Sequence, residues 1–162
     1  NGYNVLPLEV GTKEIKIPGW QIHCETRQMK WQVEGWLDSH AHNNIGIALG
    51  SASQLIALDF DDDIEGLHEK VQELLQGSLV KKKGRKGFTA FYRYNGEITK
   101  RWRKNGVTVV ELLSTGTQTV VPPSIHPDTK QPYFWLTEDT LLDFKPDDLT
   151  MLPSDFIEKV DR

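Results

Sequence analysis

The chain has 162 residues, 38% of them hydrophobic, and this composition predicts one compact domain over residues 1–162 with a buried core. No apolar run approaches the about 18 residues of a membrane span and no signal peptide is evident, so we expect a cytoplasmic protein with no membrane partner. The single cysteine, Cys24, excludes an internal disulfide and a cysteine-based zinc site. Because the sequence opens on Asn1 rather than Met, we expect a domain excised from a longer protein.

The segments along the chain predict mostly strands, with few helices between them. NVLPLEVGTKEIKIPGW is typical of a short strand that enters a Gly/Pro loop, and further strands are expected in NNIGIALG, QLIALDF, GFTAFYRY, VTVVELL and TQTVVPPS. A helix is expected after QLIALDF, with Asp62 or Asp63 as its N-cap, Gly77 just past its end, and apolar residues at helical spacing at Ile64, Leu67, Val71, Leu74 and Leu75. DDLTMLPSDFIEKV predicts a loop and a short helix. This order indicates an α+β fold, with a mainly antiparallel sheet and helices packed on one side.

The end of the QLIALDF strand carries the first candidate site, in the stretch LIALDFDDD. Alternate side chains of a strand share a face, so Asp59 and Asp61 project together while Phe60 turns into the core. Two neighbouring carboxylates repel unless water or a divalent cation lies between them, and we favour the cation. The alternative is that the acids only start a helix, which accounts for Asp62 and Asp63 but poorly for Asp59.

A third carboxylate, Glu111, lies in VTVVELL on the same strand face as Val107, Val109 and Leu113. Burying an ionised carboxylate without a partner costs several kcal/mol, so a cation is expected beside it. Either a Lys or Arg side chain or a metal meets this need. Together with the aspartates it predicts a three-carboxylate cradle for two Mg²⁺ or Mn²⁺ ions, because oxygen ligands select hard cations.

The charges are distributed unevenly along the chain, although the net charge is only −4. The 24 residues from Lys81 to Lys104 hold ten bases and one acid, whereas acidic residues dominate from Glu138 onward. The bases are Lys81, Lys82, Lys83, Arg85, Lys86, Arg93, Lys100, Arg101, Arg103 and Lys104. The run predicts a positive face suited to phosphate partners, and the alternative is a solvated surface.

Four segments, in the same order along the chain, resemble the catalytic domain of the bifunctional DNA primase-polymerases. This is the prim-pol branch of the archaeo-eukaryotic primase superfamily, found on plasmids, phages and integrated elements. The segments are VLPLEVGTKEIKIPGW, NIGIALGSASQLIALDFDDD, GRKGFTAFYRY and VVELLSTGTQTVVPPSIHPDTKQPYFW, and they cover about residues 3–136. The resemblance implies a bent antiparallel sheet related to RNA-recognition modules, and a reaction that joins nucleotides on a template strand.

The resemblance also assigns roles to individual residues. Asp59 and Asp61 match the first acidic motif of the family, and Glu111 stands at its last acidic position, where Asp is commoner. Thr89 stands where members of the family usually carry a histidine. A threonine can hydrogen-bond a triphosphate oxygen but supplies no charge. We therefore expect either that Arg93 or Lys86 compensates or that His126 reaches the same phosphate.

The segment STGTQTVVPPSIHP offers further nucleotide ligands. Its two prolines end the strand and are expected to turn Ser124 and His126 toward the rim, where both would meet phosphates. The alternative is a surface turn with an exposed histidine. Lys13 in GTK is a further candidate for the triphosphate or the template backbone, and its alternative is a solvated lysine.

The resulting prediction is a template-directed nucleotidyltransferase, a DNA primase and/or DNA polymerase, that binds a single-stranded DNA template and nucleoside triphosphates. The three carboxylates would bind the two metals, and the nucleic acid would contact Lys86, Arg101, Arg103 and Lys104. The alternatives are a metal-dependent nuclease and a catalytically impaired, primase-like domain that only binds single strands. A fused or associated helicase is expected by analogy with the family.

Overall fold

The computed structural model describes residues 1–61, 66–74 and 80–162, apart from the side chains of Leu67 and His68. The predicted caps Asp62, Asp63 and Gly77, and the apolar positions Ile64 and Leu75, lie outside the described residues. The elements in chain order are β1 (Val5–Leu8), α1 (Lys30–Ser39), β2 (Asn44–Ala48), β3 (Leu55–Phe60), α2 (Leu67–Leu74), β4 (Lys81–Lys83), β5 (Phe88–Arg93), β6 (Lys100–Lys104), β7 (Val107–Leu113), β8 (Gln118–Val120), β9 (Phe134–Trp135) and α3 (Phe156–Asp161). Two short 3-10 helices span Trp20–Cys24 and Pro146–Asp148.

The described strands form two antiparallel sheets. The smaller sheet has the order β1-β2-β8, and the larger has the order β6-β7-β3-β5-β4-β9. The expected α+β fold with antiparallel strands is therefore confirmed, although the strands divide into two sheets where one was expected. The kinship with RNA-recognition modules and the bend of the sheet stay predictions.

The two faces of the larger sheet have different coverings. Ile56, Leu58 and Phe60 of β3 are fully buried on one face, in a cluster that includes Val71 of α2 and Phe156 of α3. Burial of such side chains contributes roughly 1.5–3 kcal/mol each, so this layer anchors the sheet.

The opposite face of β3 packs against the smaller sheet over only part of its length. Leu55 and Ala57 share a buried cluster with Ile47 of β2 and the neighbouring Leu49. Alternation along the strand puts Asp59 on this same face, beyond the apolar contacts. The far end of β3 therefore opens into a cleft between the two sheets.

Several elements were not expected from the sequence, namely α1, β4, β6, β9 and the two 3-10 helices. Helix α1 lies at the surface, and none of its residues is buried. Strand β6 consists of four cations around one buried residue, Trp102. Its backbone pairing with β7 holds this polar segment in the sheet. The helices of the described part are too short and too polar to cross a membrane.

Gly87 shapes the turn that leads from β4 into β5. Its φ of +57° lies in the left-handed region, and a Cβ atom there would lie 1.6 Å from the carbonyl oxygen of Phe60. Only glycine permits this contact, because no side chain can occupy that space. The turn is thus held against the end of β3, next to Asp61.

Candidate active site

A row of polar side chains runs across the larger sheet, one residue from each of five neighbouring strands. Successive members are directly opposite one another in the ladder register, and directly opposite residues of antiparallel strands share a face. In strand order the row is Arg101, Glu111, Asp59, Thr89 and Lys82. Charges of both signs are thereby concentrated on one strip of the cleft floor.

Three carboxylates meet at the centre of this strip. Asp59, Asp61 and Glu111 each offer one oxygen, these oxygens lie within 4.8 Å of one another, and all three residues are partly buried. Phe60 between the aspartates is fully buried in the core, as the alternation predicted. A set of three carboxylates fits Mg²⁺ or Mn²⁺, because hard cations prefer oxygen ligands. The role of the three residues as metal ligands stays a prediction.

The hydroxyl of Thr89 contacts the acidic cluster directly. Its Oγ1 donates a hydrogen bond to Oδ1 of Asp59 at 2.7 Å, and Thr89 itself is buried. This bond orients the Asp59 carboxylate and occupies the threonine proton. A contact of Thr89 with a nucleotide, which we expected from the sequence, would have to compete with this bond.

Glu111 has a cationic partner. Nε of Arg101 donates to Oε1 of Glu111, and the side chain of Glu111 is 19% exposed while that of Arg101 is 51% exposed. The sequence left open whether Glu111 meets a base or a metal, and the base is present. Since a carboxylate has two oxygens, Glu111 can still offer one to the acidic cluster.

Lys82, at the other end of the row, is a buried lysine. It is 6% exposed, and its ammonium donates to the backbone carbonyl of Val120. Burial lowers the pKa of Lys82 to about 8, since desolvation disfavours the ammonium; the charge of Asp59 acts in the opposite direction and that of Lys13 lowers it further. Sequence reasoning counted Lys82 only as one base of the run. The middle lysine of KKK points to the opposite face of a strand from its two neighbours, and this alternation could have identified it.

His126 lines the cleft, but it is buried rather than exposed at the rim. Its Nδ1 accepts backbone N–H groups from Asp128 at 3.0 Å and from Thr129 at 3.4 Å. Desolvation, chiefly, lowers the pKa of His126, and nearby cations such as Lys13 add to this effect. A neutral ring whose Nδ1 is an acceptor carries its proton on Nε2, so His126 is a hydrogen-bond donor at that atom.

The cleft has a volume of about 460 Å³ and is predominantly cationic. Among the residues that the structure describes, five bases and three carboxylates line it, a balance of +2 with neutral histidine. The bases are Lys13, Lys82, Arg85, Lys86 and Arg101. A positive, concave site of this kind attracts phosphate-containing ligands. Lys13, Lys86 and Arg101 thus line the cleft, and their binding roles stay predictions.

Four of the predicted ligands do not line the cleft. Arg93 pairs with Asp147 at 3.2 Å. It lies four residues along β5 from Thr89, a distance of roughly 13 Å, and does not line the cleft. Arg103 and Lys104 lie at the far end of β6, beside its turn into β7. Ser124 is buried, and its hydroxyl accepts the backbone N–H of Ile45 at 2.8 Å, tying the loop to β2.

The basic run does not form a single positive face. Within the described part of the chain, ion pairs join four of its cations to carboxylates, namely Arg85 to Asp128, Arg93 to Asp147, Lys100 to Asp161 and Arg101 to Glu111. The folding of β4, β5 and β6 into one sheet distributes the remaining cations between the cleft and the outer surface.

Comparison with known proteins agrees with this geometry. Residues 1–154 match the family model described as bifunctional DNA primase/polymerase, N-terminal. No curated protein matched the sequence. Because the match extends over nearly the whole chain, this protein belongs to the bifunctional DNA primase/polymerase family.

Proposed function

We propose that this domain catalyses template-directed nucleotidyl transfer, as a DNA primase and/or DNA polymerase, with two Mg²⁺ or Mn²⁺ ions held by Asp59, Asp61 and Glu111. The observation that carries the proposal is the meeting of these three carboxylates within 4.8 Å, inside a cationic cleft. Membership of the family supports a nucleotidyl-transfer reaction, with DNA template and nucleotides as substrates.

The divalent ions, when bound, would lower the pKa of the attacking 3′-hydroxyl and screen the leaving pyrophosphate. The protein's own contribution is positioning. Thr89 holds the Asp59 carboxylate at 2.7 Å and Arg101 holds that of Glu111, so two of the three ligands are oriented in advance. Lys86 and Lys13 line the cleft and supply positive charge for phosphate groups.

Primer extension and de novo priming, with labelled nucleotides and Mn²⁺ or Mg²⁺, test this function. We expect Asp59→Asn/Asp61→Asn to lose product formation and to bind Mn²⁺ in calorimetry at least about ten-fold more weakly, because two anionic ligands become neutral. Asp147→Asn is the matched control, since Asp147 pairs with Arg93 and does not line the cleft.

Three results would contradict the proposal, each in a different way. Unchanged Mn²⁺ binding in the double variant would remove the metal site. Cleavage of DNA without any need for nucleotides would identify a nuclease. Single-strand binding without turnover in either metal would identify a domain that binds but does not catalyse.

A further inference from the structure

Beside the Lys82 end of the polar row, three hydrogen-bond donors converge on the cleft. They are the ammonium of Lys82, Nε2–H of His126 and the hydroxyl of Tyr133, and all three residues line the cleft and are at most 6% exposed. The Lys82 ammonium lies 4.9 Å from the centre of the Tyr133 ring. The centres of the His126 and Tyr133 rings lie 5.2 Å apart.

The hydroxyl of Tyr133 is buried and has no hydrogen-bond partner among the described residues. A buried hydroxyl without a partner is costly, so such atoms in a site indicate a ligand that supplies the missing bond. The hydroxyl also lies close enough to Asp59 and Asp128 for their charges to raise the pKa of Tyr133, an effect that adds to burial.

Lys82 is under-satisfied in the same way. An ammonium has three N–H donors, and one acceptor in the described part of the chain, the carbonyl oxygen of Val120, bonds to it. Lys82 forms no ion pair with a carboxylate of the described residues, although the charge of Asp59, further along the row, acts on it. A buried cation is retained at a cost, and an anionic ligand would offset that cost.

The position of the three donors is fixed by close packing. A Cβ atom at Gly84 would lie 2.5 Å from Cε1 of Tyr133 and 2.9 Å from Cδ2 of His126, so the β4–β5 turn rests directly on both rings. The backbone N–H groups of Asp128 and Thr129 hold Nδ1 of His126 from behind. The donors are thus set before any ligand arrives, which lowers the cost of binding.

We infer that Lys82, Tyr133 and His126 form an anion subsite that binds the triphosphate of the incoming nucleotide. The inference rests on the proposed function and deepens it, because it assigns phosphate recognition to residues outside the expected Thr89 position. Thr89 then acts as a positioning residue for Asp59. The ligand class is a linear polyphosphate, and the competing source of the same chemistry is the phosphodiester backbone of the template.

Metal-free calorimetry with inorganic tripolyphosphate in EDTA tests the subsite without turnover. We expect Lys82→Gln to weaken tripolyphosphate binding about ten- to a hundred-fold, since a charged hydrogen bond is lost. Tyr133→Phe, which keeps the ring packing, should weaken it about ten-fold. The matched controls are Lys83→Gln, one residue along β4 on the other face, and Tyr3→Phe, whose hydroxyl donates to Phe144.

The outcomes separate the subsite from the proposed function. The inference is overturned if the parent does not bind tripolyphosphate, if neither variant loses affinity, or if Lys83→Gln loses as much as Lys82→Gln. It is also overturned if the two variants weaken binding of a single-stranded oligonucleotide and leave tripolyphosphate binding intact, because the template backbone would then be the ligand. A parent that binds tripolyphosphate through Lys82 and Tyr133 but does not extend primers would refute the polymerase function and leave the subsite standing.

Discussion

Replacing Lys82 by Met should change the stability of the protein in a pH-dependent way that reports the burial of this ammonium. The folded-state pKa is about 8, against an ordinary value of 10.5. Between these values the unfolded chain holds the proton at this site and the folded chain has released it. Stability of the parent therefore rises with pH across this window, by the linkage between proton binding and folding.

The size of the effect follows from the difference between the pKa of about 8 in the folded state and the ordinary value of 10.5, which corresponds to about 3 kcal/mol. Between pH 7 and pH 10 the parent should gain about 2.5 kcal/mol of unfolding free energy relative to Lys82→Met. Loss of the hydrogen bond to Val120 adds a roughly constant penalty to the variant, about 1–3 kcal/mol, because neutral lysine still donates to that carbonyl.

The assay is urea denaturation of parent and variant in EDTA, at intervals from pH 7 to pH 10, with the difference in unfolding free energy plotted against pH. Subtracting the variant from the parent cancels the titration of the groups that both proteins share. A difference that does not change with pH would refute the reasoning, since Lys82 would then keep its ordinary affinity for the proton in the folded state.

Two further predictions concern the turn and the edge of the acidic cluster. Gly87→Ala should destabilise the fold by about 3 kcal/mol or more in urea denaturation, because its Cβ meets the backbone of Phe60. The control Gly106→Ala, at φ +77° with open space around it, should cost only about 1 kcal/mol. Equal losses in the two variants would contradict the close contact at Gly87. Arg101→Gln should flatten the log–log salt dependence of single-strand affinity by about 0.7 if Arg101 neutralises one phosphate. An unchanged slope would restrict Arg101 to its bond with Glu111.

The alternation of residues along the strands predicted the faces on which the acidic residues lie. The period of two puts Asp59 and Asp61 on one face and Phe60 on the other, and this needs no knowledge of neighbouring strands. Glu111 was conspicuous because a carboxylate stood in an apolar alternation. The need of these carboxylates for a cation predicted that they form one cluster, and the resemblance to primase-polymerases supported that prediction. Their oxygens lie within 4.8 Å of one another in the structure.

The partners across the sheet were decided only by the tertiary structure. Lys82 lies opposite Thr89, and Thr89 lies opposite Asp59, 30 residues away in the chain. Local patterns state which face a residue occupies but not which residue of a distant strand lies beside it, because register depends on packing and on turns. For this reason the sequence indicated a nucleotide contact for Thr89, where the structure has a hydrogen bond to a carboxylate.

The same limit explains the residues whose surroundings differed from expectation. Ser124 follows two prolines in a segment that resembles a ligand loop, yet its hydroxyl bonds the backbone of β2. His126 is buried by Tyr133 and the turn at Gly84, neither of which is adjacent to it in sequence. The strand alternation by itself determined that carboxylates would share a face. The pairing of distant strands decided which cations and hydroxyls surround them, because those contacts arise only when segments tens of residues apart are brought into one sheet.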